Sequence, residues 1–250
     1  MNEGKYIYGV IAANEPEDFE VSGIGGRGDK LYTICFNGTA AVISNSPIVK
    51  YSVSRENVIA HEKAVEEVMK GHTILPVRFG TIAEDEEKVK RILEKEHDRF
   101  VTLLQNIEGK RELGLKAIFN ENVYQDILEK YEDIRLLKKK IADLPPEKTH
   151  YQRMEIGKKV EDALEEEKKI CKESILNTLS PLAEKMKTNY TYGERMILNA
   201  AFLVDKEKEA EFDRLVSEFD AKYADKIKFK YVGTLPPFNF VNLIIRLEEY

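Results

Sequence analysis

The sequence is poor in the residues on which metal and redox sites depend. Its 250 residues include no tryptophan, two cysteines and four histidines. Cys35 and Cys171 are far apart and form no C-x-x-C pair, which is typical of free thiols in a reducing cytosol. An H-E-x-x-H zinc site starting at His61 would need a second histidine where Val65 stands, and the other histidines show no ligand spacing. We therefore predict no metal site.

Long apolar runs and an excess of positive charge are also missing. No stretch of about 18 apolar residues occurs and no signal peptide is recognisable, so we expect a cytoplasmic protein without a membrane span. The net charge of −6 argues against nucleic-acid binding by bulk electrostatics. Hydrophobic residues make up 42% and charged residues 34%, which together predict a substantial core and long solvated helices.

No catalytic motif is evident. The serines form no G-x-S-x-G elbow, neither cysteine has a local base, and there is no P-loop. Residues 23–28 match G-x-G-x-x-G, but a strand is predicted after them where a dinucleotide site needs a helix, so we interpret them as a loop. We predict no catalytic residue and no cofactor, and hence a protein that is not an enzyme.

What the sequence does contain, up to about residue 119, is an alternation of strands and helices. Asn37-Gly38 separates two apolar runs and is the strongest short hairpin signal, since both residues tolerate positive φ. Ser54 is suited to cap a helix that Gly71 ends. The predicted elements are strands over 5–12, 31–36, 39–44, 73–79 and 112–119, helices over 55–70 and 84–106, and a loop over 13–30.

The pattern becomes helical over about 121–187. Apolar residues recur at spacings of three and four up to Leu144, and again from Ile156 through Leu182 to Met186. Pro145-Pro146 interrupts them, which predicts two antiparallel helices. A strand over 195–204, a helix over 206–223 and strands over 226–233 and 239–247 are predicted to follow.

Together these elements predict an α+β fold with two domains. The first is an N-terminal α+β sheet domain over 1–109. The second, over 110–250, is a modified ferredoxin-like domain in the order β, long α, β, α, β, β, with a long helical hairpin inserted over about 121–187.

Two apolar, proline-containing segments, 75–81 and 233–241, are the candidate interaction regions. Proline fixes φ and lacks an N–H, so Pro236-Pro237 is expected to end one strand before another begins. Arg78 either points outward, meets a nearby carboxylate, or grips a partner's carboxylate or backbone carbonyl. The candidate interaction residues are His61, Glu62, Pro76, Arg78, Phe79, Gly80, Pro236, Pro237, Phe238 and Phe240.

Three further readings of these candidates are open. His61 either packs against the sheet edge or pairs with Arg78 through Glu62. Gly80 is suited to the close approach of another backbone. The alternative for the whole set is a purely structural role, in which these residues only hold the two domains together.

Several of these segments, in this order, resemble the gas vesicle protein F/L family (GvpF/GvpL). That family usually ends in G-P-W-P-P-Y-S-F. Here Thr234, Leu235, Phe238 and Asn239 replace its first proline, tryptophan, tyrosine and serine, so a contact made by the indole would be weaker or lost. The F or L assignment is left open. The matching segments are 6–10, His61-Glu62, 75–81, Glu112 at the start of the fifth strand, 196–204 and 233–241.

The resemblance implies a role in making gas vesicles, the protein-walled buoyancy organelles of some bacteria and archaea, as a minor component or accessory factor without catalysis. It also implies an α+β N-terminal domain followed by a modified ferredoxin-like domain. The expected partners are the small hydrophobic shell subunit and other accessory proteins, in the cytoplasm and at the gas vesicle. Two other functions stay open: a scaffold that pairs through the helical hairpin, and a ferredoxin-like sensor or enzyme for a small molecule.

Overall fold

The computed structural model describes residues 2–241 and 243–249. Helices and strands are both abundant, so the predicted α+β class is confirmed. The strands are β1 (Glu3–Ala12), β2 (Asp18–Ser22), β3 (Lys30–Phe36), β4 (Thr39–Pro47), β5 (Ile74–Pro76), β6 (Ile82–Ala83), β7 (Lys110–Phe119), β8 (Ala183–Thr188), β9 (Met196–Asp205) and β10 (Ile227–Leu235). The helices are α1 (Arg55–Met69), α2 (Glu86–Lys95), α3 (His97–Ile107), α4 (Val123–Lys130), α5 (Glu132–Ile141), α6 (His150–Leu179) and α7 (Glu209–Tyr223).

The chain forms two compact units. The first contains Met1–Glu112 together with Thr234–Tyr250, and the second contains Leu113–Gly233. The segment that follows β10 therefore packs with the N-terminal residues, although the sequence prediction grouped it with the second domain. The predicted domain limits, 1–109 and 110–250, stay a prediction.

The first unit is built on a sheet in the order β2-β3-β4-β1-β5, with β6 also pairing with β1. The predicted hairpin at Asn37-Gly38 is confirmed, since β3 and β4 pair antiparallel and the turn residues have φ of 44° and 86°. The loop predicted over 13–30 is wrong in part because it contains β2. Phe19 and Val21 alternate with polar residues in that strand and pack against the core.

Three helices belong to the first unit. The predicted helix over 55–70 is confirmed as α1, whose Ser54 side chain accepts a hydrogen bond from the Asn57 amide (3.3 Å). The single helix predicted over 84–106 is wrong, because the backbone leaves helical geometry at Glu96 (φ −98°, ψ 6°) and separates α2 from α3. Asp85 caps α2 through the Lys88 amide (2.7 Å).

The second unit carries a sheet in the order β10-β7-β9-β8. Along the chain its elements run β7, α4 to α6, β8, β9, α7 and β10, which is the βαββαβ order of ferredoxin-like folds. The order of elements predicted along the chain, β, long α, β, α, β, β, is wrong. The helical prediction ran on to residue 187 and therefore missed β8. Pro181 follows the end of α6, and Leu182 and Met186 leave the helical stripe as the chain enters β8, which pairs antiparallel with β9.

The helical region of the second unit is interrupted twice. The predicted break at Pro145-Pro146 is confirmed, and a second break at Tyr131 (ψ 104°) separates α4 from α5. The three helices α4, α5 and α6 pack against one another. No helix in residues 2–241 or 243–249 is long and apolar enough to cross a membrane.

The final strand predicted over 239–247 is wrong for the residues that the structure describes, and Asn242 lies outside them. The amides of Phe240 and Val241 both bond to the Pro237 carbonyl (3.0 and 2.8 Å), so they turn the chain and do not join a ladder. A single parallel bridge joins Val77 to Leu243. The Pro236-Pro237 corner thus ends β10 as predicted, but a turn follows it.

Candidate functional site

The segment 77–81, directly after β5, is held to β1 at both ends. The Val77 amide donates to the Tyr8 carbonyl (2.9 Å), and the Ile7 amide donates to the Thr81 carbonyl (2.9 Å). Its middle leaves the sheet and faces outward, which makes it a short loop on a fixed base.

Arg78, Phe79 and Gly80 form the exposed part of this loop. Arg78 is exposed and Phe79 is half-buried. Gly80 has φ of 83°, in the left-handed region that disfavours side chains. A Cβ atom at Gly80 would meet no atom within 4 Å, so its backbone conformation, and not crowding inside this chain, requires glycine. Its suitability for the approach of a partner backbone stays a prediction.

A hydrogen-bonded chain through two buried side chains fixes the loop from below. The Gly80 amide donates to the Tyr6 hydroxyl (2.8 Å), which lies 3.1 Å from Nδ1 of His61. A neutral imidazole has one N–H, so the Tyr6 hydroxyl is the donor or the acceptor toward Nδ1 according to the tautomer of His61. We call this chain the Tyr6–His61 relay.

The Tyr6–His61 relay is uncharged near neutral pH. Burial lowers the pKa of His61 to about 4, opposed in part by the hydrogen bond to Val77. Burial also raises the pKa of Tyr6, against the effect of the Gly80 amide. The His61 ring stacks on Tyr8 and meets Phe79 edge-on, with centroids 5.7 and 5.8 Å away. This arrangement holds a loop in place. His61 packs against the sheet, which is the first of the two alternatives predicted for it.

A groove of about 280 Å³ lies beside this loop, within the first unit. One wall is α1, a second is the segment that includes the loop, and a third is the turn after β10. The lining residues are Val58, His61, Glu62, Pro76, Val77, Arg78, Phe79, Phe238, Val241 and Leu243. We refer to it as the N-terminal groove.

The N-terminal groove combines an apolar floor with one acid and one base. Phe238 is 40% exposed although its neighbours Pro236 and Pro237 are buried. Glu62 and Arg78 are both exposed, and within the described residues neither has an ion-pair partner. The predicted pairing of His61 with Arg78 through Glu62 is therefore wrong. Arg78 points outward, which is the first of the alternatives predicted for it. The arrangement suits recognition of a segment that carries both apolar and charged side chains.

A buried carboxylate holds the corner that presents Phe238. Glu112 is 1% exposed and accepts hydrogen bonds from the backbone amide (2.8 Å) and side-chain amide (2.6 Å) of Asn239. The Phe238 amide bonds to the Pro236 carbonyl (2.7 Å) within the same turn. A carboxylate that receives two donors fixes the turn strongly, because charged hydrogen bonds are stronger than neutral ones.

The structure brings six of the ten predicted residues into one lining: His61, Glu62, Pro76, Arg78, Phe79 and Phe238. The other four, Gly80, Pro236, Pro237 and Phe240, lie within two positions of a lining residue in the chain without lining the groove. The role of all ten stays a prediction.

The sequence did not predict the residues that hold the loop and the turn in place or that complete the groove lining. Tyr6 and Glu112 were predicted only as members of strands and of segments that match a family pattern, and Val241 and Leu243 were assigned to a strand. A tyrosine inside an apolar strand and a glutamate at a strand start are signals of buried polar contacts, but their partners are distant in sequence.

The glycine-rich segment 23–28 and the two cysteines lie outside the N-terminal groove. Residues 23–28 form a turn and a short 3-10 helix that leads into β3, so no α-helix begins directly after the glycines. Among the described residues, no three His, Cys, Asp or Glu side chains are grouped to hold a metal ion. Both cysteines have free thiols.

Comparison with known proteins gives consistent matches over nearly the whole chain. The family model described as gas vesicle synthesis protein GvpL/GvpF matches residues 4–242. Gas vesicle protein F of Dolichospermum flosaquae is 29% identical over 245 residues, which cover 95% of this chain and 97% of that protein. Gas vesicle protein F1 of Halobacterium salinarum is 28% identical over 254 residues, which cover 100% and 98%.

The fold matches solved structures over the same extent. The crystal structure of GvpF from Anabaena sp. PCC7120 superimposes with a TM-score of 0.81 at 28% identity, covering 96% of this chain and 99% of that one. The structure of GvpF from Microcystis aeruginosa gives a TM-score of 0.74 at 24% identity, which supports the fold. With a family match that spans both units and a solved relative of the same fold, this chain belongs to the GvpL/GvpF family of gas vesicle synthesis proteins.

Proposed function

We propose that this protein acts in gas vesicle assembly by binding the small hydrophobic shell subunit before or during wall growth. It acts without catalysis, in the cytoplasm and at the growing gas vesicle, and it works beside other accessory proteins. Membership of the GvpL/GvpF family supports the biological process. The N-terminal groove supports the manner of binding.

The observation that carries this proposal is the combination of exposed Phe238, Glu62 and Arg78 around one apolar floor. A shell subunit with exposed apolar surface would aggregate unless that surface were covered. An apolar groove covers such a surface, and its two opposite charges fix the orientation of the bound segment. The relay below Arg78 holds the groove in shape before binding, which lowers the entropic cost of association.

The test is co-expression of this chain with the shell subunit, followed by capture of the complex. We expect Phe238→Ala and Arg78→Glu each to reduce the amount of retained shell subunit at least fivefold. Matched controls remove equally exposed groups outside the groove: Ile48→Ala, at 43% exposure, and Arg91→Glu on the surface of α2. Both controls are expected to retain the subunit as the wild type does.

Thermal unfolding separates this function from a purely structural role. Truncation of a buried Phe typically costs about 3–5 kcal/mol, whereas a side chain as exposed as Phe238 is expected to cost much less. If Phe238→Ala retains the subunit but unfolds far more easily than the wild type, the position is structural. If well-folded wild type retains no shell subunit, direct binding of that subunit is wrong.

A further inference from the structure

A second groove lies in the second unit, between the helices of the hairpin. It has a volume of about 430 Å³, which is within the usual range of about 300–1,000 Å³ for binding pockets. Its apolar lining includes Ile141 from α5 and Ile156 and Val160 from α6. The two charged residues in the lining, Lys138 and Arg153, are both basic. We refer to it as the hairpin groove.

Gly157 is the unusual residue of the hairpin groove. It lies within the 30-residue helix α6, where glycine costs about 1 kcal/mol relative to alanine. Helical glycines often permit a neighbouring element to approach closely, yet a Cβ built at Gly157 would meet no atom within 4 Å. The space over its backbone is open to the groove, so packing inside this chain does not account for the glycine.

The shape of the surface indicates an elongated occupant. Met154, Gly157 and Val160 recur every three residues along one side of α6, a row about 9 Å long. Met154 is 61% exposed, so the apolar surface continues from the groove by about one turn toward the start of α6. A row of this length matches about two turns of a second helix, which would place its apolar side chains at i, i+3 or i+4 and i+7.

The charge around the hairpin groove indicates the sign of the occupant. Residues 138–158 contain six basic and three acidic residues in a chain whose net charge is −6. Within the described residues, Lys138 has no ion-pair partner, and Arg153 uses its Nε to donate to Thr149 Oγ1 (2.9 Å). The guanidinium ends and ammonium groups at the rim are therefore available to carboxylates of a bound molecule.

From the open backbone at Gly157, the apolar row and the basic rim, we infer that the hairpin groove binds an amphipathic helix of a partner protein whose apolar stripe is flanked by Asp or Glu. The apolar stripe enters the groove and crosses α6 closely at Gly157. The flanking carboxylates meet Lys138 and Arg153. This site belongs to the second unit and does not depend on the N-terminal groove.

The probe for this inference is a displayed library of 18-residue helical peptides with a fixed apolar stripe and randomised flanking positions. The library is selected on the whole chain and depleted on the Gly157→Leu variant, whose side chain fills the groove. We expect the selected peptides to be enriched in Asp and Glu at the flanks. Their affinity is expected to fall at least tenfold for Gly157→Leu, and to fall as salt is raised.

Matched variants keep this experiment interpretable. Gly157→Leu and Gly157→Ala both raise helix propensity, so weaker binding by the first cannot come from an unfolded helix, and the second is expected to weaken binding less. Lys138→Glu is expected to weaken binding at least threefold. Lys172→Glu, on the same helix about 18 Å beyond Val160, is expected to leave binding unchanged.

Three results would overturn the inference. The first is that no selected peptide depends on residue 157. The second is that Lys or Arg is enriched at the flanks. The third is that Gly157→Leu turns a dimer of this chain into a monomer, because the groove would then be occupied by a second copy and not by another protein.

Discussion

The Tyr6 hydroxyl connects more of the candidate site than any other single group described above. It accepts from the Gly80 amide and forms a hydrogen bond with Nδ1 of His61, and these contacts tie the loop that carries Arg78 to α1. Because Tyr6 is 0% exposed, water cannot replace a lost partner without a rearrangement.

We therefore predict that Tyr6→Phe destabilises the protein by about 1–3 kcal/mol, since it leaves the buried ring nitrogen of His61 without its partner and removes the acceptor of the Gly80 amide. Urea unfolding measures the stability, and hydrogen exchange at Gly80 is expected to become faster. Tyr190→Phe removes a hydroxyl from a ring that is 77% exposed and should change neither quantity. Equal effects of the two variants would contradict the importance of the Tyr6–His61 relay.

The buried imidazole of His61 also predicts a pH dependence. Its folded pKa of about 4 is below the ordinary value of 6.5, so the unfolded chain binds a proton in this interval that the folded chain does not. Stability therefore falls as the pH falls from about 6.5 to 4, by about 3 kcal/mol from this residue.

Unfolding midpoints of wild type and His61→Gln, compared at pH 7 and pH 4, measure this contribution. The variant is less stable at neutral pH but is expected to lose about 3 kcal/mol less than the wild type on acidification. Parallel pH profiles for the two proteins would show that His61 does not titrate as its burial indicates.

At the scale of elements, α1 carries both His61 and Glu62, and its start depends on one hydroxyl. Ser54→Ala removes the acceptor for the Asn57 amide and is expected to cost about 1 kcal/mol. Ser52→Ala is the control, because that residue contributes only its backbone carbonyl, which accepts from the Asn57 side chain. A calorimetric scan of both variants gives the comparison, and equal melting temperatures would argue against the cap.

The elements that were predictable from sequence are those with local causes. Asn37-Gly38 forms its turn through its own φ angles, and Ser54 caps its own helix. The errors have non-local causes. The helical stripe through Leu182 and Met186 continued in sequence, but pairing of β8 with β9 decided the structure. The segment after Pro237 has a strand-like alternation, yet its amides are used in a turn held by Glu112.

The same distinction applies to the candidate site. Arg78, Phe79 and Phe238 were predicted because unusual residues in apolar, proline-containing segments are visible in sequence. That these segments, more than a hundred residues apart, line one groove with α1 could not be predicted, because a single sequence contains no information on such contacts.

At the scale of the whole molecule, the segment after β10 completes the first unit. Deletion of residues 234–250 removes three lining residues of the N-terminal groove, Phe238, Val241 and Leu243, and both Asn239 donors to the buried Glu112. We expect hydrogen exchange to increase in α1 and over 77–81, whereas α6 and β9, in the second unit, keep their protection.

Asn239→Ala is the milder companion to this deletion, since it keeps the groove wall and removes one hydrogen bond to Glu112. A cost of about 1–3 kcal/mol is expected. Asn122→Ala, at an exposed position without a side-chain cap bond, is the matched control. Loss of protection throughout α6 and β9 in the deletion variant would mean that the two units do not unfold separately.

This arrangement has a consequence for synthesis on the ribosome. Phe79 and Phe238 face the same groove, but translation at about 5–20 residues per second separates them by on the order of 10 to 30 s. The second unit emerges in that interval, while the first still lacks one wall. A nascent or prematurely terminated chain therefore has no finished N-terminal groove, and the groove is completed only when translation has passed Leu243.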